Sequence, residues 1–312
     1  MLCIAHRGGA GLLPENTLSA FRNAIALGCD GAELDVQLSS DGAVVVFHDF
    51  CLNPDVCRDS SGNWLAKPTP RIKDLNFAEL RSLDVGCVRP ESRYAHSHPE
   101  LVPAEGERIP ALGEVLDVAR SAWRPFHLFV ELKTSFADRS LSADPKALAE
   151  AALQSLRNAQ YLDRSVLVGF DWTALLHAKR IEPSVQCWFT TQPQSWFGDS
   201  PPPAQDDPPE EPVLQRLRHG ARTGTSPWAA GYDAVNYGGS TLRAIAAAGA
   251  DGWFPMYRDA TAQAIGEAHN LGLRVGAWTA NRPPEMRALI ENGIDAICTD
   301  RPDLLMGVVN SP

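Results

Sequence analysis

Two histidines, four carboxylates, one arginine and one lysine stand in tight groups along this chain: His6-Arg7, Glu33-x-Asp35, His48-Asp49 and Glu131-x-Lys133. Each group closes or follows a short apolar run of strand type, and parallel barrels gather their chemistry at the C-terminal ends of strands. Glu33 and Asp35 are two apart on a strand, so both side chains leave the same face. Adjacent carboxylates inside a barrel repel and lose hydration unless a cation joins them. Glu131 offers a third oxygen ligand. An all-carboxylate set selects one hard divalent cation, Mg2+, Ca2+ or Mn2+, over zinc or copper. A hydrated polar edge is the bland alternative. His6 and His48, taken singly, read as ordinary partly buried histidines. Paired beside carboxylates they read as an acid–base couple, because imidazole titrates near neutral pH. Arg7 and Lys133 either form salt bridges, with Glu15 or Asp49 as partners, or spread charge over a phosphoryl group.

The elements that must position these residues are legible from punctuation. Four times an amphipathic helical stretch ends in Gly, a charged residue follows two positions later, and a short apolar strand begins: Gly28-x-Asp30, Gly249-x-Asp251, Gly272-x-Arg274 and Gly293-x-Asp295. Glycine suits the left-handed position that closes a helix. Further strands are expected at 2–5, 43–47, 126–132, 166–170 and 185–190. Helices are expected at 17–27, 112–122, 145–158, 172–181, 240–248, 261–271, 284–291 and 302–309. Asp144-Pro145 reads as an N-cap with proline at the first helical position. About eight strands alternating with eight helices predict a single α/β domain over 1–312, a closed (β/α)8 TIM barrel, rather than an open doubly wound sheet. No G-x-G-x-x-G dinucleotide loop is present.

Two stretches break the rhythm. Residues 50–108 are polar, hold one helix candidate at 75–83, and are too long for an ordinary loop, so they form a small insertion after the second strand region. Residues 192–230 carry eight prolines and an acidic 206–211 run. They read as a surface excursion, or as a lid if Trp196, Phe197 and Trp228 pack.

Charge narrows the partners. With 28 Lys+Arg against 38 Asp+Glu the net charge is −10. That argues against nucleic acid and against stable association with an anionic membrane. A small anionic substrate remains compatible, because three carboxylates, a divalent ion and two basic side chains leave the mouth with one positive charge over. Seven scattered cysteines without a C-x-x-C pair, no leader-like N-terminus and no run of 18 apolar residues predict a cytoplasmic protein. Oligomeric state is not legible.

The same residues carry a resemblance. His6-Arg7-Gly8-Gly9, Pro14-Glu15-Asn16-Thr17, Glu33-x-Asp35, His48-Asp49 and Glu131-x-Lys133, with Trp278-Thr279-Ala280-Asn281 and Thr299-Asp300-Arg301-Pro302-Asp303 near the end, resemble the glycerophosphodiester phosphodiesterase family. The resemblance runs from residue 3 to 305. It implies a barrel interrupted by an insert after His48, a metal on Glu33, Asp35 and Glu131, and catalytic histidines at His6 and His48. It further implies phosphate or substrate contacts from Arg7, Lys133 and Trp278. Pro14–Thr17 reads as structural, with Asn16 or Thr17 capping the first helix. The chain departs from the family at Cys51–Asp59, at Gly169-Phe170-Asp171, and in the length of 192–230. The implied reaction is hydrolysis of a glycerophosphodiester to glycerol 3-phosphate and an alcohol. The alternatives are a phospholipase acting on lipid, a glycosidase using Glu33 and Glu131, and a non-catalytic barrel that binds a phosphorylated ligand.

Overall fold

The computed structural model describes residues 1–198 and 206–310. Among these residues nine short strands appear: β1 Leu2–Ala5, β2 Gly31–Leu38, β3 Val44–Val46, β4 His127–Leu132, β5 Ser165–Gly169, β6 Gln186–Thr190, β7 Gly252–Phe254, β8 Arg274–Ala277 and β9 Ala296–Thr299. Eight of them are parallel and close on themselves, in the order β1-β9-β8-β7-β6-β5-β4-β2 with β1 returning to β2. The fold is the (β/α)8 barrel. β3 lies outside that ring, antiparallel to β2 with Val36 opposite Val46. A turn at Ser39–Gly42 reverses the chain, and Gly42 accepts its positive φ of 82°.

The repeated glycine punctuation works as a joint. Gly28, Gly249, Gly272 and Gly293 all have positive φ. After Gly28, Gly249 and Gly293 the aspartate two residues on then accepts the N–H of the second residue of a neighbouring strand. Asp30 Oδ2 takes it from Cys3, Asp251 Oδ2 from Cys187 and Asp295 Oδ2 from Val275, each at 2.8 Å. These carboxylates satisfy donors that the sheet ladder leaves over at its lower edge.

The barrel interior is filled by Ile4, Phe129, Val166, Val168, Trp188, Phe254, Ala296 and Cys298. Glycine makes that filling fit. A Cβ on Gly252 would lie 2.6 Å from the Trp188 indole, so only glycine lets the ring occupy the axis. A larger core lies between strands and helices. The helices are α1 Leu18–Ala26, α4 Leu112–Arg120, α5 Pro145–Asn158, α6 Trp172–Ile181, α8 Thr241–Ala247, α9 Ala262–Asn270, α10 Pro283–Glu291 and α11 Pro302–Asn310. Asp144 caps α5 through the N–H groups of Lys146 and Ala147, as its Asp-Pro start predicts.

The segment 50–108 has a core of its own, built on Leu52, Val56, Ile72 and Leu80 and closed against Val45, Phe47 and Ile109. It carries two short helices, α2 Phe77–Arg81 and α3 Arg93–Ser97. The Pro-rich segment differs from the reading as a loop, because it contains helix α7 Glu211–Thr223. Proline occupies the first turn there, where its missing N–H costs nothing, and Leu214 and Leu217 are buried. Phe197 stacks on Trp228 at 5.5 Å, and the Trp228 carbonyl accepts the Trp172 N–H. Pro201–Pro203, part of the same reading, lie outside the described residues. Among the described residues no helix is long and apolar enough to cross a membrane.

Candidate active site

Register brings the acidic residues together. β2 and β4 run in parallel with Asp35 directly abreast of Glu131, and Glu33 sits one inward position earlier on β2. Oxygen atoms from Glu33, Asp35 and Glu131 all lie within 4.8 Å of one another. Glu33 and Asp35 are almost fully buried. Burial and the charges of Asp35 and Glu131 push the Glu33 carboxyl well above the ordinary carboxylate range, against the pull of Arg7. Burial acts the same way on Asp35, but Arg7, His48, Lys133 and the Asn16 amide outweigh it and hold that carboxyl low. The donor set fits a hard divalent cation, since three hard oxygens converge and their mutual repulsion is what such an ion relieves.

His6 follows β1 in a tight turn, His6–Gly8, where Arg7 has φ of 49° and Gly8 of 84°. A Cβ on Gly8 would sit 2.7 Å from that of Ala20, so the turn packs against α1 only with glycine there. The turn aims the Arg7 N–H at Glu33 Oε2, 3.1 Å away. His6 Nε2 lies 3.8 Å from that oxygen, and its Nδ1 meets Asp300 Oδ1 at 2.6 Å. Asp300, just past β9, is fixed by Asn281 Nδ2 at 2.7 Å and by its own N–H donating to Asn281 Oδ1 at 2.9 Å. Burial works to raise Asp300, but the charge of His6 and hydrogen bonds from His6, His98 and Asn281 hold it far below the ordinary range.

His48 arrives by another route. It follows the antiparallel β3 rather than a barrel strand, so the hairpin returns it toward the level of the carboxylates. The Phe47 N–H donates to the Asp35 carbonyl. Gln37, the next inward residue of β2, clamps this loop through the carbonyls of Phe47 and Asp49 at 2.8 and 2.9 Å. His48 Nδ1 contacts Asp49 Oδ1 at 2.7 Å, and Asn53 holds the other Asp49 oxygen at 2.8 Å. Despite burial, His48, the charge of Arg7 and the Asn53 amide bring the Asp49 carboxyl down to about 2. Each imidazole therefore has one nitrogen engaged by a carboxylate.

The two cations sit inside the same cluster. Arg7 Nη1 donates to Glu15 at 2.9 Å and its Nε lies 3.2 Å from Asp35 Oδ2. Glu15 is one of the two partners anticipated for it. Lys133 Nζ lies 2.9 Å from Glu131 and 3.5 Å from Asp35. Burial disfavours the Lys133 charge, yet Glu131 and Asp35 raise its pKa above the ordinary lysine value. Trp278 is half-buried, donates its indole N–H to the Phe254 carbonyl at 3.0 Å and stands edge-on to Phe170 at 5.5 Å.

Several participants escape a reading of the sequence. Thr17 caps α1, whereas Asn16, in left-handed backbone at φ of 58°, donates to Asp35 Oδ2 and accepts the Asp35 N–H. Asp300 stood in the resembling tail without a role; the available signal was an acid directly after the last strand. Tyr94 and His98 of the insert stack on each other at 4.3 Å. Tyr94 reaches Glu15 at 2.6 Å, and His98 lies 3.9 Å from Asp300. No local pattern marks either residue.

Comparison with known proteins gives a consistent answer. Residues 6–304 match the glycerophosphoryl diester phosphodiesterase family. A glycerophosphodiester phosphodiesterase of Caldanaerobacter subterraneus subsp. tengcongensis is 25% identical over 308 residues, covering 99% of this chain and 97% of that protein. A crystal structure from Silicibacter pomeroyi, provisionally given the same activity, is 30% identical with a TM-score of 0.80, covering 99% of this chain and 92% of that one. A phosphodiesterase of Oleispira antarctica, solved with the product sn-glycerol 3-phosphate, superposes with a TM-score of 0.67 at 23% identity, covering 100% and 97% of the two chains.

Proposed function

This chain belongs to the glycerophosphoryl diester phosphodiesterase family of phosphoric diester hydrolases, and from that premise we propose that it cleaves glycerophosphodiesters to glycerol 3-phosphate and an alcohol, using one divalent cation and two histidines. The observation that carries the reading is the convergence of three carboxylates, two carboxylate-backed imidazoles and two basic side chains on one barrel mouth. The product held by the Oleispira relative is the one proposed here.

Glu33, Asp35 and Glu131 would hold the cation, Mg2+ or Ca2+ with Mn2+ as a further candidate. When bound, such an ion neutralises phosphate charge and makes the nucleophile, water or the neighbouring glycerol hydroxyl, more acidic. One of His6 and His48 takes the nucleophile's proton and the other protonates the departing alkoxide, which is a poor leaving group near pH 7; where the glycerol hydroxyl attacks, water then opens the cyclic phosphodiester to glycerol 3-phosphate with the two histidine roles exchanged. In-line displacement sets these two jobs on opposite sides of phosphorus, and the histidines come from separate chain segments, the ends of β1 and β3. Asp300 and Asp49 fix ring orientation and stabilise the imidazolium formed in turn. Arg7 and Lys133 stabilise the equatorial oxygens, exchanging part of their present pairing with Asp35 and Glu131 for the phosphate.

A coupled glycerol 3-phosphate assay on several diesters, with EDTA and with restored Mg2+ or Ca2+, tests this. Activity should vanish with chelator and return with cation. His6→Ala and His48→Ala should each lower turnover by about 10²–10⁴. Near wild-type kcat in both variants would overturn the assignment.

A further inference from the structure

We propose that a cavity beside Glu131 and Lys133 receives the departing alcohol, and that its aromatic walls select a quaternary trimethylammonium head group. The proposal rests on the hydrolase reading above and specifies the second half of its substrate. The cavity is about 230 Å³ and shares Glu131 and Lys133 with the acidic cluster, so a phosphate held there sends one arm into it. Three phenyl rings line it: Phe50 from the start of the insert, Phe136 from the loop after β4, and Phe170 just past β5. All three are only half-buried. Phe170 is braced edge-on by Trp278 at 5.5 Å and Phe136 by Trp228 at 5.9 Å.

The polar groups between the rings are largely committed. Thr134 Oγ1 donates to the buried Asp171 at 2.9 Å, and the Ser135 hydroxyl accepts the Asp138 N–H at 3.1 Å. Lys133 is engaged by Glu131 and Asp35. Gln192 adds a neutral amide. This wall suits neither the glycerol arm, whose hydroxyls need partners, nor an ethanolamine or inositol head group. Of the lining side chains that could accept from them, Glu131 is reserved for the cation and Gln192 offers one amide oxygen, so their donors exchange water for fewer acceptors, which is costly. A trimethylammonium group has no N–H to satisfy, and its diffuse positive charge is attracted by phenyl faces.

The test compares kcat/KM for glycerophosphocholine and glycerophosphoethanolamine at pH 7 under saturating cation. Wild type should favour the choline diester by about tenfold or more, which corresponds to about 1.4 kcal/mol. Phe50→Leu and Phe136→Leu keep apolar bulk and remove the π face, and each should cut that ratio at least threefold. Tetramethylammonium chloride should inhibit competitively beyond an equal ionic strength of sodium chloride, and less so in the variants. A wild-type ratio at or below one, or a ratio unchanged in both variants, overturns the proposal. If no diester yields glycerol 3-phosphate, the hydrolase reading itself fails. Calorimetric binding of tetramethylammonium to wild type and to Phe50→Leu then decides the pocket separately, with equal affinity in the two overturning it.

Discussion

Replacing Asp300 by asparagine isolates what a buried carboxylate does for His6. The 2.6 Å contact from His6 Nδ1 to Asp300 Oδ1 is charge-assisted whenever the ring is protonated. Hydrogen bonds of that kind are worth about 1.5–3 kcal/mol net, which is about 10- to 150-fold in rate at 1.36 kcal/mol per decade. Asn281 then amplifies the loss. Its Nδ2 donates to Asp300 Oδ2 at 2.7 Å, so the new amide keeps its carbonyl oxygen on that side and turns its NH2 toward His6. Nδ1 must then accept, and the proton moves to Nε2, the nitrogen that faces Glu33. A ring in that tautomer cannot take a proton through Nε2, and its protonated form has lost its counter-charge. The whole acid–base contribution of one residue, about 10²–10⁴, sets the ceiling. Asp300→Asn should therefore lower kcat by about 10²- to 10³-fold with little change in KM. Initial-rate release of glycerol 3-phosphate under saturating cation measures it, with thermal unfolding confirming that the variant folds. A folded variant within threefold of wild-type kcat would refute the reasoning.

Three further outcomes follow from the same geometry. Added Mg2+ or Ca2+ should raise the unfolding temperature by a few degrees at about 100 times its dissociation constant, where linkage adds about 2.7 kcal/mol. Glu33→Gln should remove most of that rise, and an unchanged rise in scanning calorimetry would place the ion elsewhere. Asn16→Ala loses both hydrogen bonds to Asp35 and puts a Cβ-bearing residue without a polar side chain at φ of 58°. It should cost about 2–4 kcal/mol in urea titration; a loss below about 0.5 kcal/mol would sink that account. Asp49 titrates lower folded than unfolded, about 2 against about 4. Its stabilising contribution is thus complete above pH about 4 and is lost as pH falls from about 4 toward 2. Asp49→Asn should flatten stability in that window alone, as read by denaturant titrations at stepped pH.

How much was legible in the sequence depends on the range of the interaction. Gly28, Gly249, Gly272 and Gly293, the Asp144-Pro145 cap and the shared face of Glu33 and Asp35 each rest on a backbone rule spanning a few residues. The Glu33, Asp35 and Glu131 set was legible because each motif lies on or next to its own strand. Helix α7 was hidden because proline density reads as loop, although proline in a first turn is compatible with a helix.

The sequence by itself determined the βα rhythm, the carboxylate face and the family resemblance, because strand period and helix closure are local properties of the chain. Tertiary structure alone decided which residues meet. Register set Asp35 abreast of Glu131. The hairpin, rather than a barrel strand, delivered His48. Closure of β1 on β9 brought Asp300 to His6 across 294 positions. No spacing rule reaches that far, because pairing the first and last barrel strands depends on every strand between them closing the ring.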